Sequence, residues 1–252
     1  MAGEIVQASE TWEEAAGGGA VAAVQLTKLA GSCTFFTALG DDELGRRARR
    51  ELEAMGVRVE ATVLAEPQRR ALTFVDEAHE RTITVIGRKL VPCRVDPLPW
   101  EELSEVDAVY FTGGDPAALV AARSARVLVA TARELETLRA AGVELDALVR
   151  SGRDPGERYR PGDLEPRPRL VVATAGSAGG RYAVKGGPSG VFAAAPLPGP
   201  LVDTYGGGDS FAACLAFALA AGRSVEGALA LAARCGAACL TGRGPYTRQL
   251  RL

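Results

Sequence analysis

The spacing of apolar positions changes along the chain, and each change predicts an element. Residues 17–30, Gly-Gly-Gly-Ala-Val-Ala-Ala-Val-Gln-Leu-Thr-Lys-Leu-Ala, read as a glycine turn running into a helix. The helix has a small apolar face (Ala22, Ala23, Leu26, Leu29), and Gly31 stands where a C-terminal cap is needed. Cys33 to Leu39 is a short apolar run and predicts a strand. Gly40-Asp41-Asp42-Glu43-Leu44-Gly45 then opens a second helix, with Asp41 or Asp42 as N-cap and Gly56 as its end.

Residues 57–88 alternate with period two, in 57–63, 71–75 and 82–86. This predicts a small antiparallel sheet, one face dry and one wet, inserted into a larger fold. After the prolines at 92–99 the pattern becomes strand–helix alternation. Strands are expected at 106–111, 126–131, 145–149 and 170–175, with helices after the first two. Short apolar strands alternating with helices build an α/β fold whose parallel sheet is covered on both faces. Ligands then sit at the carboxyl ends of the strands, where the glycine turns 113–114, 176–180 and 206–208 are expected. Residues 151–169, rich in Arg, Pro and Gly, read as a surface loop.

Composition narrows the function. The 252 residues carry 29 Lys+Arg against 31 Asp+Glu, a net charge of −2. That balance argues against a dedicated nucleic-acid or membrane-surface binder. No apolar run is long enough to span a membrane, and the acidic start does not resemble a signal peptide. Five scattered cysteines read as reduced thiols of a cytoplasmic protein, with Cys235 and Cys239 as buried small side chains of one helix. His79, the single histidine, lies in a polar turn, so Ser-His-Asp and Cys-His catalysis are poor readings.

The sharpest segment is Asp203-Thr204-Tyr205-Gly206-Gly207-Gly208-Asp209-Ser210-Phe211, which enters an Ala-rich helix. Three glycines before a helix leave backbone N–H groups able to converge, and the helix dipole adds positive potential. The pair suits a phosphate or a developing phosphoryl charge. Asp209 beside it either takes a proton from an attacking hydroxyl or merely caps the helix. Neither a Gly-x-x-x-x-Gly-Lys-[Ser/Thr] loop nor a Gly-x-Gly-x-x-Gly fingerprint after a strand occurs.

This segment resembles the Asp-Thr-x-Gly-Ala-Gly-Asp signature of the ribokinase-like (phosphofructokinase-B-type) sugar kinases, with Gly207 in place of Ala. Residues 16–30 resemble the family's early Gly-Gly helix, and 40–45 its Gly-x-Asp-x-x-Gly landmark. Residues 57–88 resemble its β-lid, and Thr174-Ala175-Gly176-Ser177-Ala178-Gly179 its nucleotide loop. The resemblance implies a single domain over 1–252, a three-layer αβα sandwich with a mostly parallel sheet and a lid at 57–88. It implies an ATP-dependent kinase acting on a hydroxyl of a sugar or sugar-like molecule.

The same resemblance assigns Asp209 as catalytic base and Gly206, Gly207 and Gly208 as anion hole. Thr174, Gly176 and Gly179 would approach ATP, and Gly17 and Gly18, with Asp209, the acceptor. Asp154-Pro155-Gly156-Glu157 resembles the family's Asn-x-x-Glu element, which organises Mg²⁺, although Glu157 also reads as a solvated charge. Asp203 and Tyr205 match a monovalent-cation site, taken to be for K⁺, unless Asp203 only braces the turn. One face of the lid could pair with a second copy in a homodimer.

Three departures touch the acceptor. The family's first strand has no counterpart here, so the chain is expected to be shortened at its start. Val21 stands where the early helix usually offers Asn, and the sequence contains no Asn at all. Asp154 also replaces an Asn. Two of these remove polar grips on a polyol. The alternative reading is a non-catalytic nucleotide- or metabolite-binding relative with a degraded acceptor pocket.

Overall fold

The structure is a computed structural model that describes residues 5, 7–75 and 81–252. His79 lies outside the described residues. In chain order the first half comprises helix α1 (Gly18–Ala30), strand β1 (Thr34–Gly40), helix α2 (Glu43–Ala54), strand β2 (Arg58–Leu64) and the hairpin strands β3 (Arg70–Val75) and β4 (Arg81–Ile86). The second half comprises β5 (Ala108–Phe111), α3 (Pro116–Ala122), β6 (Val127–Thr131), α4 (Leu135–Ala141), β7 (Ala147–Ser151), β8 (Leu170–Thr174), β9 (Gly180–Val184), β10 (Ser189–Phe192), α5 (Gly207–Ala220) and α6 (Val225–Cys239).

Strands β5 to β8 pair in parallel, in sequence order, and β9 and β10 extend the sheet antiparallel. Alternate residues of each central strand enter different cores. Val127 and Val129 of β6 pack with Leu215 of α5 and Leu229 of α6. Leu128 and Ala130 face the other way, onto Leu119 of α3 and Leu138 of α4. Burial on both faces is why these strands read as unbroken apolar runs. The β9–β10 hairpin was not anticipated, because glycines at 179, 180, 186, 187 and 190 dilute its pattern.

The structure corrects the reading of 57–63. Strand β2 is not part of an antiparallel sheet: it pairs parallel with β1, from Thr34↔Arg58 to Gly40↔Leu64. The connection through α2 is the helical crossover that parallel neighbours require. Alternation reports which side chains share a face and is silent on the direction of the partner. Within 57–88 only β3 and β4, among the described residues, form an antiparallel pair. That hairpin has no dry face either. Leu72, Phe74, Val75, Ile83, Val85 and Ile86 are all exposed. The register places Leu72, Phe74 and Ile86 on one face and Val75, Ile83 and Val85 on the other.

Helix α1 ends as the sequence predicts, with Gly31 at φ 81° donating to the Thr27 carbonyl. Asp42, not Asp41, caps α2. Cys214, Cys235 and Cys239 are buried and free. Among the described residues no helix is long and apolar enough to cross a membrane.

Candidate active site

Helix α5 begins at a backbone position that only glycine takes readily. Gly206 has φ 82°, and a Cβ there would also meet Pro245 at 2.7 Å and Val21 at 3.0 Å. Gly207 is equally confined, by Leu240 at 2.6 Å, whereas Gly208 faces open space. The first helical amides have no helical carbonyl to bond. Those of Gly206, Gly207 and Gly208 have no other acceptor among the described residues. They remain available to an anion.

Asp209 follows on the first turn and lies against the start of α1. A Cβ on Gly18 would come 2.5 Å from Asp209 Oδ1. The amino ends of two helices therefore converge on one carboxylate. Protein surrounds that carboxylate closely, yet Asp209 is only half-buried and retains an accessible face. This enclosure is the main cause that pushes its pKa up to about 6, and the negative charge of Glu157 adds to it. The Arg133 guanidinium pulls the other way. Gly17, the N-cap of α1 with φ 103°, donates its N–H to the Tyr205 hydroxyl at 2.8 Å.

The loop after β7 brings Asp154 and Glu157 to the same edge. Asp154 caps a short turn by accepting from the Gly156 N–H at 2.7 Å, and Glu157 accepts from the Ser151 N–H at 2.5 Å. Arg133, directly after β6, donates to Asp154 Oδ2 and Glu157 Oε1, both at 2.6 Å. Glu157 is therefore not a solvated loop charge; its carboxylate is largely covered. Sequence reasoning missed Arg133, one arginine among 26 with no motif around it.

The nucleotide loop is the neighbouring turn. The Thr174 carbonyl at the end of β8 accepts from the Gly152 N–H at 2.7 Å. Gly176 has φ 62° and Gly179 φ 75°; a Cβ on Gly179 would strike the Phe192 carbonyl at 2.0 Å. The Arg153 guanidinium lies beside Gly176. Thr174 and Gly176 thus lie next to the start of the acidic loop, at Gly152 and Arg153.

Asp203 braces the turn before α5 by accepting from the Tyr205 N–H at 2.9 Å. The Tyr205 carbonyl accepts from the Cys239 thiol at 3.4 Å. Val21, expected where the acceptor would be gripped, is fully buried and packs beneath Gly206, so it touches no acceptor. Asp154 and Glu157 are hard oxygen donors suited to Mg²⁺, which takes only one or two carboxylates beside phosphate and water. Among the described residues there is no group of three or more His, Cys, Asp or Glu that could hold a metal ion.

Comparison with known proteins places this arrangement. The profile described as pfkB family carbohydrate kinase matches residues 2–160 and 160–250. The chain is 30% identical, over 92% of its length and 82% of the relative's, to an ATP-dependent ribose-1-phosphate kinase of Halopiger xanaduensis. A ribokinase of Thermotoga maritima superposes with a TM-score of 0.77 at 20% identity, covering 99% of this chain and 89% of that one. Arabidopsis thaliana ribokinase complexed with ribose and ATP gives 0.74 at 19% identity, over 100% and 89%. The chain thus has the ribokinase fold, and it belongs to the pfkB family of carbohydrate kinases.

Proposed function

We propose that the protein transfers the terminal phosphoryl group of ATP to a hydroxyl of a sugar or sugar-like molecule. One observation carries this reading: a carboxylate of raised proton affinity, still accessible, lies between two helix amino ends and beside glycine amides with no partner. The acceptor hydroxyl gives its proton to Asp209 while its oxygen forms a bond to the γ-phosphorus. The bond from that phosphorus to the β-phosphate oxygen breaks, and ADP leaves. The amides of 206–208 stabilise the charge on the transferring group. Thr174, Gly176 and Gly179 let the backbone approach ATP. Glu157 and Asp154 would hold Mg²⁺, which supplies charge neutralisation on the phosphate oxygens when bound. Asp203 and the Tyr205 carbonyl are the oxygen donors for K⁺, a role tested by comparing turnover in K⁺ and in tetramethylammonium.

The hairpin β3–β4 covers the acceptor with one apolar face and pairs with a second copy through the other. The relative's substrate, ribose 1-phosphate, brings phosphorylated pentoses into the range of acceptors. The alternative is a non-catalytic nucleotide- or metabolite-binding protein of the same fold. ADP release measured over a panel of sugars, sugar phosphates and nucleosides separates the two. Turnover with any acceptor removes the alternative; its absence with all of them overturns the kinase reading.

A further inference from the structure

Lys89 follows strand β4 at the exit of the hairpin, and it is one of only three lysines among 29 cationic residues. Its Nζ donates to the Thr112 carbonyl at 2.6 Å and to Glu134 Oε1 at 2.5 Å. An ammonium has three N–H donors, and no described residue accepts the third. Nζ also lies against Gly113, where a Cβ would come within 2.8 Å of it.

A continuous floor joins this ammonium to the base. Thr112 Oγ1 approaches Gly19, at 2.9 Å from where its Cβ would be, and the preceding residue, Gly18, cradles Asp209 Oδ1. Lys89 and Asp209 therefore stand at the two ends of a strip made by Thr112, Gly19 and Gly18. Glu134 is largely covered, with a side-chain exposure of 13%, while Lys89 keeps 41%. The covered carboxylate thus holds an ammonium that itself stays accessible, at the end of the strip that leads to Asp209.

We infer that Lys89 is a specificity-determining residue: it receives a phosphate monoester on the acceptor, at the end remote from the hydroxyl that Asp209 deprotonates. A compact ammonium suits a single phosphate oxygen, and Thr112 and Glu134 pre-orient it. The inference rests on the kinase reading for the identity of the base, and its test is independent of turnover.

The test is calorimetric binding of ribose 1-phosphate, ribose 5-phosphate and ribose to the wild type, Lys89→Gln and Glu134→Gln. The wild type should bind at least one phosphorylated pentose more tightly than ribose. Lys89→Gln should weaken that binding at least about tenfold, the size of a lost charge-assisted hydrogen bond. Ribose binding should change less than about twofold. Glu134→Gln should tighten the phosphorylated ligand, since it removes a competing anion while keeping a hydrogen-bond acceptor for Lys89. A role of the ion pair as a lid tether alone would move both variants in the same direction for all three ligands, and that result overturns the inference. So does a wild type that binds ribose as well as either phosphate, or binds none of the three. Lys89-dependent phosphate binding without ADP release from any acceptor sinks the kinase reading and leaves this one standing.

Discussion

A carboxylate accepts a proton from an alcohol more effectively when its pKa is raised towards the working pH, and enclosure and Glu157 raise that of Asp209. Asp209→Asn should lower kcat at least about a hundredfold while ATP binding, read by calorimetry, survives. Turnover near wild type in that variant would remove Asp209 from the mechanism. The pH profile follows from the same cause: kcat/KM of the wild type should rise through pH 6 as the carboxylate ionises, then level off. Stability runs the other way. The folded state holds this proton more tightly than the unfolded chain, so Asp209 costs stability as pH rises from about 4 through 6. Asp209→Asn should therefore melt above the wild type at pH 7 to 8, and the gap should close towards pH 4. A gap independent of pH would place the raised affinity elsewhere. Gly18 enforces the geometry: in Gly18→Ala the new methyl would meet Asp209 Oδ1 at 2.5 Å. That substitution should reduce kcat at least about tenfold by displacing the base. Wild-type turnover with Ala at 18 would show that the carboxylate moves freely.

Among the elements, Gly40-Asp41-Asp42-Glu43-Leu44-Gly45 shows how a legible motif gains its physical meaning only in three dimensions. Asp42 caps α2 through the Gly45 N–H and, with its other oxygen, accepts from the Gln68 N–H at 2.9 Å, next to the lid. Both bonds favour the charged carboxylate and hold its pKa below the usual range. A Cβ on Gly45 would come 2.1 Å from the Gly40 carbonyl, and one on Gly40 2.4 Å from the Gln68 nitrogen. The two glycines permit these approaches, which the sequence marks only as a spacing. Helices and central strands were legible because their caps and apolar runs are local. The partner of β2, the β9–β10 hairpin and the role of Arg133 were not, because each depends on a neighbour far away in sequence. The β3–β4 hairpin belongs to this class too: alternation marked its two strands, but not that both of its faces are exposed. That exposure separates two outcomes. Of Phe74→Asp and Ile83→Asp, which lie on opposite faces, one should raise the acceptor KM and the other should convert a dimer to a monomer in light scattering. The same change from both would refute separate roles for the two faces.

At the scale of the molecule, the site depends on how α1 and α5 are held together, and both ends of the chain share that task. The N-terminal segment runs across α2 and the last loop. Glu13 pairs with Arg47, the Ala15 N–H donates to Glu51, Arg243 lies over the Trp12 ring, and the Tyr246 hydroxyl donates to the Ala15 carbonyl. From the other end, the Gln25 amide donates to the Leu250 carbonyl. Gln249, only 5% exposed, donates to the Val21 carbonyl of α1 at 2.9 Å and to the Ser210 hydroxyl of α5 at 3.2 Å. Val21 lies beneath Gly206 and Ser210 follows Asp209, so one buried amide bridges the two helices whose amino ends converge on Asp209. Gln249→Leu keeps the volume and deletes both donors. Losing buried hydrogen bonds of this kind costs about 1–3 kcal/mol, or roughly 2–10 °C in Tm for a chain of this size. If the bridge also sets the distance from Gly18 to Asp209, kcat measured far below Tm should fall about tenfold, while the KM for ATP stays within a factor of two. A lowered Tm with unchanged kcat would limit the C-terminal tail to stability, and would mean that the packing of Val21 against Gly206 is enough to keep the two helix ends in register.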